Sequence, residues 1–118
     1  MKKILYVEDH EDTASAVKTI LSEAGFEVEI ALSGKDGIKK AKKRHFDLIL
    51  LDIMLPDMSG WDIFQKLRKF RVNAKYIFLS VVPVTTERMI ELRKAGVSDY
   101  ITKPFTKVDL IERINKVL

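Results

Sequence analysis

Polar side chains able to do chemistry follow four short apolar runs of the sequence. Glu8 and Asp9 come directly after the first run, and Asp52 comes directly after the second. Ser80 follows the third run, and Lys103 lies just past the fourth. Three carboxylates that meet in a partly desolvated cleft repel one another, so they need a cation. Carboxylate ligands without imidazole or thiolate favour Mg²⁺ over zinc, and a carboxylate can act as a nucleophile toward a phosphoryl group.

The apolar runs have the lengths expected of β-strands. Uninterrupted runs of about four residues suit strands buried on both faces of a parallel sheet, and a polar–apolar alternation suits an edge strand. The predicted strands are the uninterrupted runs Ile4–Val7, Leu48–Leu51 and Tyr76–Leu79, the alternating segment Glu27–Ile30 and the weaker run Tyr100–Ile101.

The segments between these strands have the spacing of amphipathic helices. Gly25 and Gly96 each follow an apolar stripe and are predicted to end a helix in the left-handed conformation. Helix starts are predicted where a capping oxygen precedes an acid by three positions, at Ser33, Ser59 and Thr106. The result is five β-α units, which predict a parallel sheet with helices on both faces.

The polar residues named above fall at the edge where such a sheet binds ligands. Ligands of open α/β sheets lie outside the carboxyl ends of the strands, where the direction of the connections switches. Asp52 is the predicted nucleophile, because it follows the predicted central strand and lies between the other groups. Lys103 can neutralise one carboxylate, and Mg²⁺ with a phosphoryl group can satisfy the rest.

Together these motifs resemble the receiver domain of two-component response regulators, the CheY-like family. The resemblance runs from residue 4 to residue 118 and rests on Glu8-Asp9, the segment 52–60 that begins at Asp52, Ser80, and Lys103-Pro104-Phe105. It implies a flavodoxin-like (βα)5 fold, with a five-stranded parallel sheet in the order 2-1-3-4-5 that is doubly wound by helices.

The resemblance also implies a phosphorylation site. Asp52 would accept a phosphoryl group from a phosphohistidine on a sensor histidine kinase or a phosphotransfer protein. Glu8, Asp9 and Asp52 would hold Mg²⁺ together with the backbone carbonyl of Met54. Lys103 would pair with the phosphoryl oxygens, and the peptide bond that follows it would be cis.

A switch is implied by the same resemblance. Ser80 would close on the new phosphoryl oxygen, and Tyr100 would move inward behind it. The surface of the fourth helix, fifth strand and fifth helix would then change and control a downstream protein or output domain. Homodimerisation through that surface is a further expectation, in which Arg88, Arg93, Asp99 and Arg113 supply charge pairs.

Three residues depart from the commonest family pattern. Glu8 stands in place of an aspartate, which predicts looser or water-bridged metal geometry, and Ser80 stands in place of a threonine. Val81 stands where alanine or glycine is common, and its branched side chain is predicted to slow the attack of water on a phosphorylated Asp52.

Two other functions compete with the switch. A Mg²⁺-dependent phosphohydrolase of the haloacid-dehalogenase kind needs a second acid two residues after the nucleophile, and Met54 occupies that position. The switch is therefore expected to be no enzyme beyond slow autophosphorylation and autodephosphorylation. The basic run 39–44 invites a nucleic-acid interpretation, but it suits a solvated helix face better, so no direct nucleic-acid binding is expected.

Length and composition are those of one globular domain over residues 1–118. The chain has 47% hydrophobic and 32% charged residues, a net charge of +4 and no cysteine, which excludes disulfides and thiolate metal sites. No apolar run is long enough to span a membrane, and a cytoplasmic location is expected. The chain is expected to be either a stand-alone receiver or one domain of a longer protein.

Overall fold

The computed structural model describes residues 1–118 as strands and helices that alternate along the chain. The strands are β1 (Lys3–Val7), β2 (Glu27–Ala31), β3 (Leu48–Asp52), β4 (Lys75–Ser80) and β5 (Asp99–Thr102). The helices are α1 (Glu11–Glu23), α2 (Gly34–Lys43), α3 (Gly60–Lys69), α4 (Thr86–Ala95) and α5 (Lys107–Val117). No helix combines the length and the hydrophobicity needed to cross a membrane.

All five strands are parallel and form one sheet in the order β2-β1-β3-β4-β5. The predicted fold class, strand order and central position of β3 are therefore confirmed. The alternating segment is also confirmed as an edge strand, since β2 has β1 as its only neighbour. The connections change direction between β1 and β3, and this switch places a cleft at the carboxyl ends of the central strands.

Each strand is one or two residues longer than its apolar run. Asp52 is the last residue of β3 and pairs in register with Leu79, and Ser80 is the last residue of β4 and pairs with Thr102. A strand ladder is made by backbone groups, so it continues past the point where the side chains become polar. Two of the chemically important residues are therefore held by the sheet itself.

Two apolar layers fix the helices to the sheet. On one face, residues of the central strands pack against α1 and α5, and the buried helical residues are Ala14, Val17, Leu21, Leu110 and Ile114. On the other face the strands pack against α2, α3 and α4, through Ala41, Ile63, Phe64, Leu67 and Leu92. Each fully buried Leu or Ile contributes about 1.5–3 kcal/mol to the stability of the fold relative to an exposed one. The two layers therefore hold the sheet and its carboxyl ends in place.

The helix ends follow the predicted signals closely. The hydroxyls of Ser33, Ser59 and Thr106 each accept a hydrogen bond from the backbone amide three residues on. Thr85 caps α4 in the same way, through the amide of Arg88. The sequence pattern misses this cap because a basic residue, rather than an acid, stands three positions after Thr85.

Two glycines end helices as predicted, and a third allows a close approach. Gly25 and Gly96 have φ values of +97° and +111°, in the left-handed region that glycine adopts without strain. At Gly60, a Cβ would lie 2.6 Å from the backbone oxygen of Asp52. The first turn of α3 can therefore start directly against the end of β3.

Candidate functional site

Four of the predicted site residues form one polar cluster at the carboxyl edge of the sheet. The Lys103 ammonium donates to Glu8 Oε1 at 2.9 Å and to Asp52 Oδ2 at 3.2 Å. Asp9 lies beside Glu8, and one carboxylate oxygen of each lies within 4.8 Å of the other. Side chains from three strand ends thus meet at the predicted place.

Asp52 has a fixed orientation within this cluster. Its carboxylate is almost fully buried, and Oδ1 accepts a hydrogen bond from the amide of Met54 at 3.1 Å. Oδ2 faces the Lys103 ammonium. Both oxygens are therefore held by the backbone that follows β3 and by a cation that follows β5. The Met54 side chain itself is exposed, so only its backbone belongs to the site.

Glu8 is fully buried and uses its two oxygens differently. Oε1 accepts from Lys103 and also from the Tyr6 hydroxyl, at 3.3 Å. Oε2 is buried without a hydrogen-bond partner, and so is Oδ1 of Asp9. Leaving a buried charged oxygen unpaired costs more than leaving a neutral group unpaired. No sequence pattern shows the contact between Tyr6 and Glu8, although Tyr6 brings the only polar side-chain atom to its apolar run.

The two unpartnered oxygens fit a hard divalent cation. They are carboxylate oxygens, the donor type that Mg²⁺ prefers, and they belong to two residues that each offer one oxygen within 4.8 Å of the other. His10 follows on the chain, and its exposed ring places Nδ1 at 3.4 Å from Asp9 Oδ1 and 3.6 Å from Glu8 Oε2. The sequence favours a lone surface imidazole at this position, and His10 is indeed exposed but contacts both carboxylates.

Burial and charge act in opposite directions on the titration of the cluster. Burial favours neutral Glu8, but its interactions with Asp52 and Lys103 outweigh burial and lower its pKa. Burial and the neighbouring Glu8 raise the pKa of Asp52. Burial opposes the Lys103 charge, but Glu8 and Asp52 outweigh it and raise the pKa of the amine. With the three carboxylates of Glu8, Asp9 and Asp52 around one ammonium, the cluster has more acidic groups than one lysine can neutralise.

Ser80 and Tyr100 meet at the loop that follows β4. Ser80 is buried, and its Oγ accepts from the amide of Val82 at 3.1 Å. The Tyr100 ring is also largely buried, and its hydroxyl donates to the carbonyl of the same Val82 at 2.5 Å. Tyr100 therefore faces inward here, and one residue of the loop connects it to Ser80. The peptide bond from Lys103 to Pro104 is cis, as predicted.

Asp57 joins a loop to a helix. Its position after a proline in a turn instead predicts an acid that is only exposed to solvent. Its two carboxylate oxygens accept from the amides of Gly34 and Lys35, at 3.0 and 2.9 Å. These amides are in the first turn of α2, where a helix has unsatisfied donors and a positive dipole end. The loop between β3 and α3 is therefore anchored to α2. The partners are 22 and 23 residues away in sequence, so no local pattern shows the contact.

Replacing Asp57 with Asn is expected to lower the free energy of unfolding by about 1 kcal/mol at pH 7, because the charge and one acceptor at the helix start are lost. Hydrogen bonds from Gly34 and Lys35 lower the pKa of Asp57. The stabilisation is thus complete above the unfolded pKa and is lost as the pH falls below about 4. Urea unfolding at pH 7 and pH 3 measures it. Asp62→Asn is the control, because that carboxylate accepts no backbone hydrogen bond, and equal losses in both variants would contradict the assignment.

Charges elsewhere on the surface are partly paired within the chain. In the basic run, Lys40 pairs with Asp36 at 3.2 Å and Arg44 pairs with Glu29 at 2.6 Å. On the surface of α4, β5 and α5, Arg113 pairs with Asp99 at 3.0 Å. Of the four residues expected to bridge two copies of the chain, Asp99 and Arg113 therefore pair with each other inside one copy, and Arg88 pairs with Glu91 at 2.9 Å.

Comparisons with known proteins agree with this arrangement. The model of the response regulator receiver domain matches residues 4–115. The transcriptional regulatory protein CusR of Escherichia coli K12 is 38% identical over 116 residues, which cover 98% of this chain and 51% of CusR. DltR of Streptococcus agalactiae is 37% identical over 112 residues, which cover 95% of this chain and 50% of DltR. The chain spans about half the length of these curated relatives.

Solved structures show the same likeness. A CheY-like receiver domain protein from Methanospirillum hungatei has a TM-score of 0.88 and 36% identity, and the match covers 98% of this chain and 92% of that one. The response regulator TrrA of Thermotoga maritima, solved in complex with Mg²⁺ and BeF, has a TM-score of 0.85 and 31% identity over the whole of both chains. With a family model that matches nearly its full length, this chain belongs to the receiver domains of two-component response regulators.

Proposed function

We propose that this domain is a phosphorylation-dependent switch in which Asp52 accepts a phosphoryl group from a phosphohistidine of a sensor histidine kinase or a phosphotransfer protein. The observation that carries the proposal is the cluster itself. The Lys103 ammonium joins a buried Asp52 to a buried Glu8, and one oxygen each of Glu8 and Asp9 is buried without a hydrogen-bond partner. Such a surplus of negative charge suits a cation and a phosphoryl group together.

The Asp52 carboxylate is the nucleophile. One of its oxygens forms a bond to phosphorus, the bond from phosphorus to the donor imidazole nitrogen breaks, and that nitrogen keeps the electron pair and takes up a proton. The amide of Met54 holds Oδ1 of Asp52, and the Lys103 ammonium lies at Oδ2. Lys103 is thus in place to neutralise the charge of the incoming phosphoryl oxygens.

Glu8, Asp9, Asp52 and the carbonyl of Met54 would hold Mg²⁺. The support is the pair of unpartnered oxygens on Glu8 and Asp9 and the hard-oxygen character of the set. The related TrrA structure contains Mg²⁺ with BeF. When bound, the ion supplies positive charge at the phosphoryl oxygens. With Met54 where a hydrolase would have its proton-donating acid, turnover is expected to be slow.

The switch is proposed to act through Val82. Phosphorylation draws the Ser80 hydroxyl toward the new phosphoryl oxygen, and this movement strains the hydrogen bond that Ser80 Oγ accepts from the amide of Val82. The Tyr100 hydroxyl is bound to the carbonyl of the same residue and therefore responds to that movement. Since Tyr100 belongs to β5, the change reaches the surface formed by α4, β5 and α5.

The partners proposed for this surface are a downstream protein or an output domain. The relatives CusR and DltR are transcriptional regulatory proteins, and this chain matches about half of each. Homodimerisation through α4, β5 and α5 stays a prediction, as does the absence of direct nucleic-acid binding by this domain. A single domain over residues 1–118 is likewise proposed, and it is carried by the one continuous sheet.

Val81→Ala is expected to shorten the lifetime of the phosphorylated form several-fold, because a smaller side chain gives water more access to the acyl phosphate. Val81 follows directly after β4 and is exposed at the surface. The measurement is the decay of phosphorylated protein in Mg²⁺ after the donor is removed. Val108→Ala is the control, since Val108 is equally exposed but lies on α5. Equal lifetimes in wild type and Val81→Ala would contradict the proposed shielding.

A phosphotransfer assay tests the proposed function. Purified histidine kinases from the source organism are autophosphorylated with labelled ATP and mixed with this protein in Mg²⁺. At least one kinase is expected to transfer its label within minutes to the wild type, and none to Asp52→Asn. Label that reaches Asp52→Asn as fast as wild type, or no transfer from any kinase, would contradict the proposal.

A further inference from the structure

Tyr6 places a polar atom directly beneath the carboxylate cluster. It lies on β1, its ring is fully buried, and its side chain belongs to the apolar layer that faces α1 and α5. The hydroxyl donates to Glu8 Oε1 at 3.3 Å. A buried hydroxyl normally finds a partner, but this one meets an oxygen that already accepts from Lys103.

This contact gives the two oxygens of Glu8 different surroundings. Oε1 accepts two hydrogen bonds, from the Tyr6 hydroxyl and the Lys103 ammonium, whereas Oε2 accepts none and has Nδ1 of the exposed His10 ring at 3.6 Å. Two donors on one oxygen fix the plane of the carboxylate, and the other oxygen is then aimed in one direction. Oε2 and the unpartnered Oδ1 of Asp9 lie 3.6 and 3.4 Å from the same atom, Nδ1 of His10, so they face one place.

We propose that Tyr6 is a positioning residue that holds Glu8 Oε1, so that Oε2 is directed at a bound Mg²⁺ ion. This inference rests on the proposed function, because it assumes that the cluster binds the cation. Hydrogen bonds to the far side of a metal ligand orient the ligand and raise its affinity for the ion. The phenol serves this purpose without becoming a ligand itself.

The length of Glu8 is part of the same device. An aspartate at this position would withdraw the carboxylate by about 1.5 Å, one carbon–carbon bond, and a hydroxyl at 3.3 Å would then lose its acceptor. Tyr6 and Glu8 therefore form a matched pair, in which the longer acid reaches the phenol. The glutamate that departs from the commonest family pattern is thus given a fixed position instead of looser geometry.

Tyr6 is also the donor that stays when the site is phosphorylated. Lys103 is a flexible side chain that contacts both Glu8 and Asp52, and it is proposed to turn to the phosphoryl oxygens. The Tyr6 ring is packed in the core and has no comparable freedom. Glu8 then keeps one fixed donor throughout the cycle.

The test is the Mg²⁺ dissociation constant, measured by titration calorimetry on the unphosphorylated protein. Four proteins are compared: wild type, Tyr6→Phe, Glu8→Asp and the double variant. Tyr6→Phe is expected to weaken Mg²⁺ binding about tenfold when Glu8 is present. When Glu8→Asp is already in place, the same change is expected to alter binding by less than about twofold, because the hydrogen bond is already absent.

Tyr76→Phe is the matched control. Tyr76 is a second buried tyrosine whose hydroxyl donates at 3.3 Å, but its acceptor is the carbonyl of Val72, and its ring packs on the opposite face of the sheet. Its loss is expected to leave the Mg²⁺ affinity unchanged. Unchanged affinity in Tyr6→Phe, or equal weakening with and without the Glu8→Asp substitution, would overturn the role of Tyr6 alone. A wild type that binds no Mg²⁺ would instead overturn the proposed function.

Discussion

Lys103→Met is expected to lower the free energy of unfolding by about 3 kcal/mol at pH 7.5 in EDTA. The Glu8 carboxylate is fully buried, and Lys103 is the cation that contacts it, at 2.9 Å. Without the ammonium, a buried negative charge is left uncompensated beside Asp52, and methionine cannot supply a donor. Urea unfolding monitored by circular dichroism gives the value.

Two further conditions separate this effect from lost packing. Mg²⁺ is expected to restore part of the stability of Lys103→Met, because it supplies the missing positive charge. Lower pH is expected to reduce the difference in the free energy of unfolding between Lys103→Met and the wild type. In wild type, the lowered pKa of Glu8 gives stability that is present above its unfolded pKa and lost as the pH falls. In the variant, no ammonium offsets the burial of Glu8, so burial favours the neutral carboxyl. Protonation of Glu8 at low pH then stabilises the folded variant.

Lys107→Met is the matched control for Lys103→Met. Its ammonium lies 3.8 Å from Glu23 on the surface, and both side chains are more than half exposed. Pairs of this kind contribute about 0–1 kcal/mol, so a small loss is expected. Equal losses in the two variants, or a loss in Lys103→Met that neither Mg²⁺ nor acid reduces, would contradict the electrostatic account of the cluster.

Asp52→Asn is expected to reverse its effect on stability between EDTA and Mg²⁺. In EDTA, the variant is expected to be about 1 kcal/mol more stable than wild type at pH 7.5, because one of three crowded negative charges is removed. Burial and Glu8 raise the pKa of Asp52. The free energy of unfolding of the wild type therefore falls as the pH rises through that pKa. In Mg²⁺ the wild type gains about 2.7 kcal/mol at 100 times its dissociation constant. The variant is expected to gain less, because it offers the ion fewer charged oxygens.

Asp99→Asn serves as the control for this crossing. Asp99 is also buried at a strand end, but it lies at the opposite edge of the sheet and is paired with Arg113 at 3.0 Å. Its replacement is expected to lower stability in EDTA and in Mg²⁺ by the same amount. An Asp52→Asn protein that is less stable than wild type in EDTA, or that gains as much from Mg²⁺, would contradict the crowding of charge at the site.

Much of the site was predictable because its residues mark the ends of apolar runs. Glu8, Asp9, Asp52, Ser80 and Lys103 all fall where a buried strand becomes polar, and parallel strands bring those ends to one edge. The fold follows from the same alternation of two hydrophobic periods. The limits of the strands were underestimated, since backbone pairing does not stop at the last apolar side chain, and the Thr85 cap of α4 was not predicted.

The contacts that the sequence does not predict join residues that are far apart in the chain, or they involve backbone atoms that leave no signal in the sequence. Asp57 reaches the start of α2, and its acceptors are matched to backbone amides that every residue except proline has. Val82 connects Ser80 with Tyr100 through its backbone alone, so the identity of its side chain gives no signal. In the sequence, Tyr6 looks like one more apolar residue of β1. The role of its hydroxyl becomes visible only when the structure shows that Glu8 is buried within hydrogen-bond distance of it.

The oxygens gathered at this end of the sheet are proposed to let Asp52 take up one phosphoryl group when Mg²⁺ is present. The most direct measurement is the intact mass of the protein after incubation with Mg²⁺ and a small acyl phosphate donor. The predicted result is a single phosphoryl adduct that is removed by base, is not formed in EDTA, and is absent from Asp52→Asn. An adduct that forms without Mg²⁺, or that persists on a serine or histidine of Asp52→Asn, would contradict the account.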